Sequence, residues 1–256
     1  MKLILSQVRP TDGDIEGAFR HVAMLFDLAR ALEADVVLLP ELLWPGYNRP
    51  DLHEELAQPL DGPWVRQLQA MARGAGCALV TGMAERAGAD LYNTALAIGP
   101  GGEILARYRK IQLFGPMERA VFRPGDDLPP VFALGGRKVG LLVCYDIEFA
   151  GHAAGLAARG AEVILVPTAN PVGFEHVQDT LVAARAVENA ITVAYANYCG
   201  TEAGLAFGGG SVVVGADGRV LARAGTREAM LIVDLPARAD YPQEILSTQR
   251  QDYRAL

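Results

Sequence analysis

The sequence predicts an α/β fold in which parallel strands are covered on both faces. Three observations carry this expectation. Apolar runs such as Val36–Leu39, Val139–Val143 and Val163–Val166 lack the polar alternation of a half-exposed sheet, as strands buried on both faces do. Between such runs lie stretches with helical spacing, so strand and helix alternate through the middle of the chain. No Ser/Gly-rich or charged linker interrupts the 256 residues and no solenoid-length repeat appears, which predicts one domain over 1–256.

Residues 3–8 read as the first strand. Thr11-Asp12-Gly13 makes a turn, and Asp14 caps a helix whose apolar residues Ile15, Phe19, Val22, Phe26 and Ala29 recur in steps of four and three. The run 36–39 ends at Pro40. A helix over 63–74 precedes strands near 77–84 and 91–98. Ile98-Gly99-Pro100-Gly101-Gly102-Glu103 is turn chemistry, so 91–109 reads as a hairpin, and Val214–Val220 repeats the device. Neither glycine cluster ends in Gly-Lys-Ser/Thr or opens a helix, so neither is a phosphate loop. Strands at 139–143, 163–166 and 191–196 alternate with helices at 148–158 and 173–189.

Composition excludes several functions. A formal charge of −7 with no basic stripe argues against nucleic-acid binding. No segment approaches the roughly 18 uninterrupted apolar residues of a membrane span, and Met1–Leu5 is too short an apolar run for a signal peptide. Three cysteines, Cys77, Cys144 and Cys199, make no disulfide framework, which fits a reducing, cytoplasmic setting.

In α/β sheets ligands bind beyond the carboxyl ends of strands. Here several strands hand over to a polar residue: 36–39 through Pro40 to Glu41, 103–109 to Lys110, 139–143 to Cys144, 163–166 to Asn170, and 191–196 to Asn197. Each alone has a bland alternative: Cys144 as a small buried hydrophobe, Glu41 as a loop residue, Lys110 as a strand end reaching solvent. By two-residue alternation, however, Lys110 shares a face with Ile104, Ala106 and Tyr108, while Arg107 and Arg109 take the other. A catalytic thiol needs a base or a nearby cation. His21, His53, His152 and His176 read as surface residues and none has metal-ligand spacing, which leaves Glu41 as base and Lys110 as cation. Trp44 and Tyr47 read as pocket walls or packing, Asp146 as a helix cap, and Glu148 as a cap or a charge tuning the thiol.

Three segments, Leu38-Leu39-Pro40-Glu41, Tyr108-Arg109-Lys110 and Val143-Cys144-Tyr145-Asp146-Ile147-Glu148-Phe149, resemble in order and spacing the signatures of the nitrilase superfamily of carbon–nitrogen hydrolases. Phe114-Gly115 through Glu118-Arg119, Phe122-Arg123-Pro124-Gly125, Leu165–Asn170 and Tyr195–Gly200 extend the likeness, which looks nearest to small aliphatic amidases of the 5-aminopentanamidase type. The resemblance implies a single-domain αββα sandwich that assembles into homodimers or higher homo-oligomers. It also implies cofactor-independent hydrolysis of a small-molecule amide. Cys144 would be nucleophile, Glu41 base and acid, Lys110 oxyanion stabiliser and Glu118 the second, positioning glutamate. The oxyanion would also meet the Tyr145 backbone N–H, and Asn170 and Asn197, by their strand-end positions, would either bind substrate amide groups or tie loops. Where the family has Pro-Glu after the phenylalanine, this chain has Ala150-Gly151, which predicts a looser helix start.

Four alternatives stay open. N-carbamoyl amino acid hydrolase and nitrilase share the same catalytic groups, the former wanting a cationic clamp such as Arg123 or Arg185. An isochorismatase-like hydrolase would need an aspartate at the end of the first strand. A non-catalytic binding subunit would lack one of Glu41, Lys110 and Cys144, all of which are present.

Overall fold

The computed structural model describes residues 1–252 and Arg254. The strands are β1 (Lys2–Gln7), β2 (Val36–Leu38), β3 (Ala78–Ala87), β4 (Asp90–Ile98), β5 (Ile104–Arg109), β6 (Val131–Leu134), β7 (Arg137–Leu141), β8 (Val163–Pro167) and β9 (Thr192–Ala196). A short hairpin follows, β10 (Cys199–Glu202) and β11 (Leu205–Gly208), then β12 (Val212–Val214), β13 (Val220–Arg223) and β14 (Ala229–Asp234). The helices are α1 (Ile15–Leu32), α2 (Pro50–Leu56), α3 (Pro63–Ala75), α4 (Gly115–Val121), α5 (Ala150–Ala158), α6 (Val182–Asn189) and the short α7 (Gln249–Asp252).

Two six-stranded sheets form, ordered β14-β1-β2-β3-β4-β5 and β13-β12-β9-β8-β7-β6. The strands of the middle of the chain expected to be parallel, β7, β8 and β9, are so; β1, β2 and β3 of the other sheet run parallel as well, with antiparallel strands at the flanks. Side-chain alternation builds the layers. Leu3, Leu5, Val36, Leu38 and Val80 share a core with Val139, Leu141, Val163, Leu165 and Val193 of the other sheet, while Ile4, Val37 and Leu79 turn toward Val22 and Leu25 of α1 and Val65 and Leu68 of α3. The α5 and α6 residues Leu156 and Ala186 cover the second sheet. The result is two sheets flanked by helices, the expected αββα layering.

Local signals explain the first helix: Asp14 accepts the Gly17 N–H at 2.8 Å, and the chain leaves α1 through a left-handed residue, Glu33. Two expected helices begin later than their periodicity suggests. Residues 144–148 form a 3₁₀ turn before α5, and 177–181 form a wide turn with i to i+5 bonding before α6. α5 begins at Ala150 with no side-chain cap at Phe149. Its first turn thus lacks both a proline and a capping acceptor.

Candidate active site

The carboxyl ends of the central strands converge. Glu41 follows β2, Lys110 follows β5, and both side chains are wholly buried. Lys110 Nζ donates at 2.7 Å to Glu41 Oε1 and at 2.7 Å to Glu118 Oε1, so one ammonium is shared by two buried carboxylates. The backbone continues the β4–β5 ladder past its end: Lys110 N–H bonds the Asn93 carbonyl, and the Lys110 carbonyl accepts from Gly125, both at 2.8 Å. Of the predicted inward face of β5, Ala106, Tyr108 and Lys110 are buried, whereas Ile104 at the start of the strand is exposed.

Glu118 lies in α4 and is fully buried. Its Oε1 also accepts from the Tyr47 hydroxyl at 2.7 Å, and its Oε2 from the Phe114 N–H at 3.0 Å. Glu41 Oε1 receives a second donor, Asn93 Nδ2, at 2.7 Å, whereas Oε2 is buried without a hydrogen-bond partner. The Glu41 backbone is fixed from two sides, by its N–H to the Thr168 carbonyl at 3.3 Å and by Tyr198 Oη donating to its carbonyl at 2.8 Å. Tyr47, Asn93 and Tyr198 were not singled out in these roles from sequence. Each reaches the site by tertiary folding and carries no local signature.

Cys144 opens the 3₁₀ turn after β7 with φ +44°, a left-handed conformation that costs a non-glycine residue about 1–3 kcal/mol. Two anchors hold it. Asp146, fully buried, accepts the Val143 N–H at 3.3 Å, the Gln112 N–H at 2.9 Å and the Tyr108 hydroxyl at 3.0 Å. Arg185 donates through Nε to the Ile147 carbonyl at 3.0 Å and through Nη2 to the Glu148 carbonyl at 2.6 Å. The Tyr145 N–H stands in the first turn, where backbone donors have no intrahelical partner.

Burial dominates the electrostatics. It pushes the Cys144 thiol well above its ordinary range, Glu41 pushes further, and Lys110 and the Ala169 backbone N–H pull only partly back. Burial likewise raises the Glu41 carboxyl against the pull of Lys110, with Glu118 adding to the rise. Burial works against the Lys110 ammonium, but Glu118, Glu41 and Cys144 outweigh it and keep the lysine charged far beyond its usual range. The resting site therefore holds a neutral thiol beside an ammonium and a carboxyl whose proton affinity is enhanced. Such a set can pass one proton from sulfur to carboxylate and stabilise a negative oxygen.

Other expectations resolve differently. Asn197 is fully buried and its amide is spent on loops: Oδ1 accepts the N–H groups of Asn170 and Tyr198, and Nδ2 donates to the carbonyls of Asn170 and Gly209. Asn170 Nδ2 donates to the Phe174 carbonyl and to Gln178 Oε1. The Asn197 amide and the Asn170 amide nitrogen thus tie strand ends together, while Asn170 Oδ1 makes no hydrogen bond among the described residues. Neither candidate arginine clamp is free, since Arg185 holds the turn and exposed Arg123 pairs with Asp90. His53 is not a surface residue. It is fully buried, its Nε2 lies 2.7 Å from the Gly46 carbonyl, and its ring packs 4.9 Å from Phe122. Cys77 and Cys199 are buried, as expected of core residues.

Residues 3–240 match the carbon-nitrogen hydrolase family. An (R)-stereoselective amidase from a Pseudomonas species is 36% identical over 100% of this chain and 90% of its own. A glutamate-to-glutamine variant of the amidase from Nesterenkonia sp. AN1, with the acetamide moiety of fluoroacetamide added covalently at its active-site cysteine, superposes with a TM-score of 0.90 at 39% identity, over 99% of this chain and 94% of that one. A cysteine-to-alanine variant of the same amidase in complex with butyramide gives a TM-score of 0.87 at 40% identity, covering 95% and 93%.

Proposed function

The chain belongs to the carbon–nitrogen hydrolases, and from that premise we propose that it is an amidase converting a small linear carboxamide to the carboxylic acid and ammonia through a thioester on Cys144. The observation that carries this reading is the Lys110 ammonium held at 2.7 Å by both Glu41 and Glu118 beside a thiol in a left-handed turn. The solved relative with an acetamide moiety on its active-site cysteine, and the one holding butyramide, support a cysteine nucleophile and a short acyl chain.

In this reading Glu41 takes the thiol proton as Cys144 sulfur attacks the amide carbonyl. Its unpartnered Oε2 is the acceptor free to do so. The oxygen that gains charge sits between Lys110 Nζ and the Tyr145 N–H, donors of a kind worth about 3–4 kcal/mol each in such a site. Glu41 then gives its proton to the departing nitrogen, the C–N bond breaks, and ammonia leaves a thioester. Water, deprotonated by the same carboxylate, attacks the acyl carbon. Collapse expels the thiolate, which recovers its proton from Glu41. Glu118 fixes Lys110 in place while Glu41 changes charge. Assembly into a homodimer or larger homo-oligomer and a cytoplasmic setting belong to the same proposal.

Ammonia release from butyramide and related linear amides, with Cys144→Ala as control, tests it. Release by the native chain that the substitution abolishes is expected. Equal release from both proteins would remove Cys144 from the reaction, and activity on nitriles or N-carbamoyl amino acids alone would move the substrate class.

A further inference from the structure

The hairpin β10–β11 belongs to neither six-stranded sheet, and its two strands pair only with each other. A lone two-stranded hairpin is marginal in water, so what it docks against decides its place. Phe207 of β11 is buried against two tyrosines, edge-on to Tyr47 at 6.0 Å and tilted on Tyr198 at 5.2 Å. These are the tyrosines whose hydroxyls bond Glu118 and the Glu41 carbonyl. The end of β10 grips the Tyr47 loop by hydrogen bonds. Glu202 Oε2 accepts the Asn48 N–H at 2.6 Å, and Asn48 Nδ2 donates back to the carbonyls of Glu202 at 3.3 Å and Ala203 at 3.2 Å. On the other side of Tyr47, Gly46 has φ +135° and packs so closely that a Cβ there would lie 2.3 Å from Glu202 Oε1. Glu202 is 2% exposed, and its Oε1 has no hydrogen-bond partner. Its carboxylate makes no ion pair among the described residues, and Arg49, which packs near Gly46, is engaged by Asp12 and Asp51 at 2.7 Å each. Burial raises the Glu202 carboxyl, and the N–H groups of Asn48 and Tyr47 pull partly back. A carboxylate buried without a counter-ion destabilises a fold, so packing alone does not account for this residue.

We infer that Glu202 is a positioning residue: clasping the backbone on both sides of Tyr47, it holds the phenol on Glu118 and so fixes the ammonium that Glu118 shares with Glu41. The inference rests on the amidase reading above and extends its machinery to a residue outside Glu41, Lys110 and Cys144. The contacts run without a gap. Glu202 takes the Asn48 N–H at 2.6 Å, the neighbouring Tyr47 donates to Glu118 Oε1 at 2.7 Å, and that oxygen accepts from Lys110 Nζ at 2.7 Å. Without the Glu202 carboxylate the Asn48 N–H loses its acceptor and space opens over Gly46, a residue whose backbone is free to rotate. The phenol then leaves Glu118 part of the time, and the ammonium is aimed less well. Because Glu202 acts only through the phenol, its loss can slow the reaction no more than loss of the Tyr47 hydroxyl itself.

A double-mutant cycle tests this. The kcat and KM for butyramide are measured for the native chain, Tyr47→Phe, Glu202→Ala and the double variant, each with a thermal melt. Glu202→Ala is expected to lower kcat about fivefold with KM little changed. Once the phenol is gone, the same substitution should lower kcat less than about twofold, because residues in one network couple. Equal fold losses in the two backgrounds overturn the inference, as does a melting temperature that falls while kcat stays native. Should Glu202→Ala not fold, Glu202→Asp, which withdraws the carboxylate by one methylene, goes through the same cycle with the same two outcomes. Fluorotyrosine placed at position 47 gives a readout that needs no turnover. Its fluorine NMR signal should move in Glu202→Ala in the direction set by Glu118→Gln, which weakens the same hydrogen bond, and an unmoved signal overturns the inference. If the native chain hydrolyses no amide, the amidase reading fails, and the fluorine signal still decides for or against the clasp.

Discussion

Tyr47 and Glu118, 71 positions apart, are joined by a 2.7 Å hydrogen bond in which the phenol donates to the same carboxylate oxygen that accepts from Lys110. A third donor, the Phe114 N–H, holds the other oxygen at 3.0 Å. Glu118 is therefore locked from its own helix, from the loop after β2 and from the lysine. Because Lys110 is shared with Glu41, anything that lets Glu118 swing also moves the ammonium away from the oxygen it is proposed to stabilise.

Tyr47→Phe tests that linkage without opening a cavity. A hydrogen bond to a charged group is worth about 1.5–3 kcal/mol, and Glu118 keeps two of its three donors, so the lower end applies. We expect kcat to fall about tenfold, equivalent to roughly 1.4 kcal/mol, with KM little changed and the protein still folded. Steady-state kinetics and a thermal melt read this. An unchanged kcat would reduce Tyr47 to packing.

The pH profile follows from the direction of the shifts. Glu41 must be ionised to accept the thiol proton, and burial raises its carboxyl. Activity is therefore expected to fall as pH drops, along an acid limb centred above the ordinary carboxylate range. The Cys144 thiol and Lys110 ammonium both titrate far above their usual ranges. Hence kcat/KM should stay flat on the alkaline side through pH 8.5, where a free thiol would ionise. Asp146, pushed up to about 7 by burial, titrates nearby. An acid limb that survives in Asp146→Asn belongs to Glu41, and a limb that vanishes there does not.

The parts of this site that were legible in the sequence are those whose signal is local. Glu41, Lys110 and Cys144 each follow the carboxyl end of a strand, and Lys110 falls on the apolar side of the β5 alternation. Residues that act across the fold left no such mark. Asn93 is one of nine residues in β4, and its bond to Glu41 exists only because β4 pairs with β3 beside the end of β2. Strand β14 completes the first sheet by pairing with β1 from the far end of the chain, a contact no short-range pattern encodes. His53 was misread because Glu54 and Glu55 beside it are exposed. On α2 those neighbours point outward while His53 turns in against Phe122.

Arg185 separates holding the turn from binding substrate. Arg185→Met keeps the apolar stem but removes the donors to the Ile147 and Glu148 carbonyls. Leaving such acceptors unmade costs about 1–3 kcal/mol each. At about 2–4 °C per kcal/mol for a chain of this size, the melting temperature should fall by several degrees. The turn carrying Cys144 loosens, so kcat should fall by a similar factor on every amide tried. Were Arg185 instead a carboxylate clamp, the loss would be confined to anionic substrates.

Gly82 sets how closely β3 approaches the Glu41 backbone. A Cβ at Gly82 would lie 2.3 Å from the Leu42 nitrogen, 2.7 Å from the Glu41 Cα and 2.9 Å from the Glu41 carbonyl carbon, all main-chain atoms with no rotamer to yield. Gly82→Ala must therefore displace the segment that aims Glu41, at an overpacking cost of about 1–3 kcal/mol. Because Glu41 shares the Lys110 ammonium at 2.7 Å, a shift of even half an ångström disturbs both groups. We expect kcat/KM to drop at least a hundredfold while circular dichroism still reports a folded chain. Gly74→Ala is the matched control: it lies on α3 with open space at its Cβ position, and replacing a helical glycine stabilises by roughly 0.5–1 kcal/mol. That variant should melt no lower than the native protein and retain full activity. Near-native kinetics in Gly82→Ala would mean that the Glu41 segment yields without losing its aim, and that close approach by β3 is not what places the base.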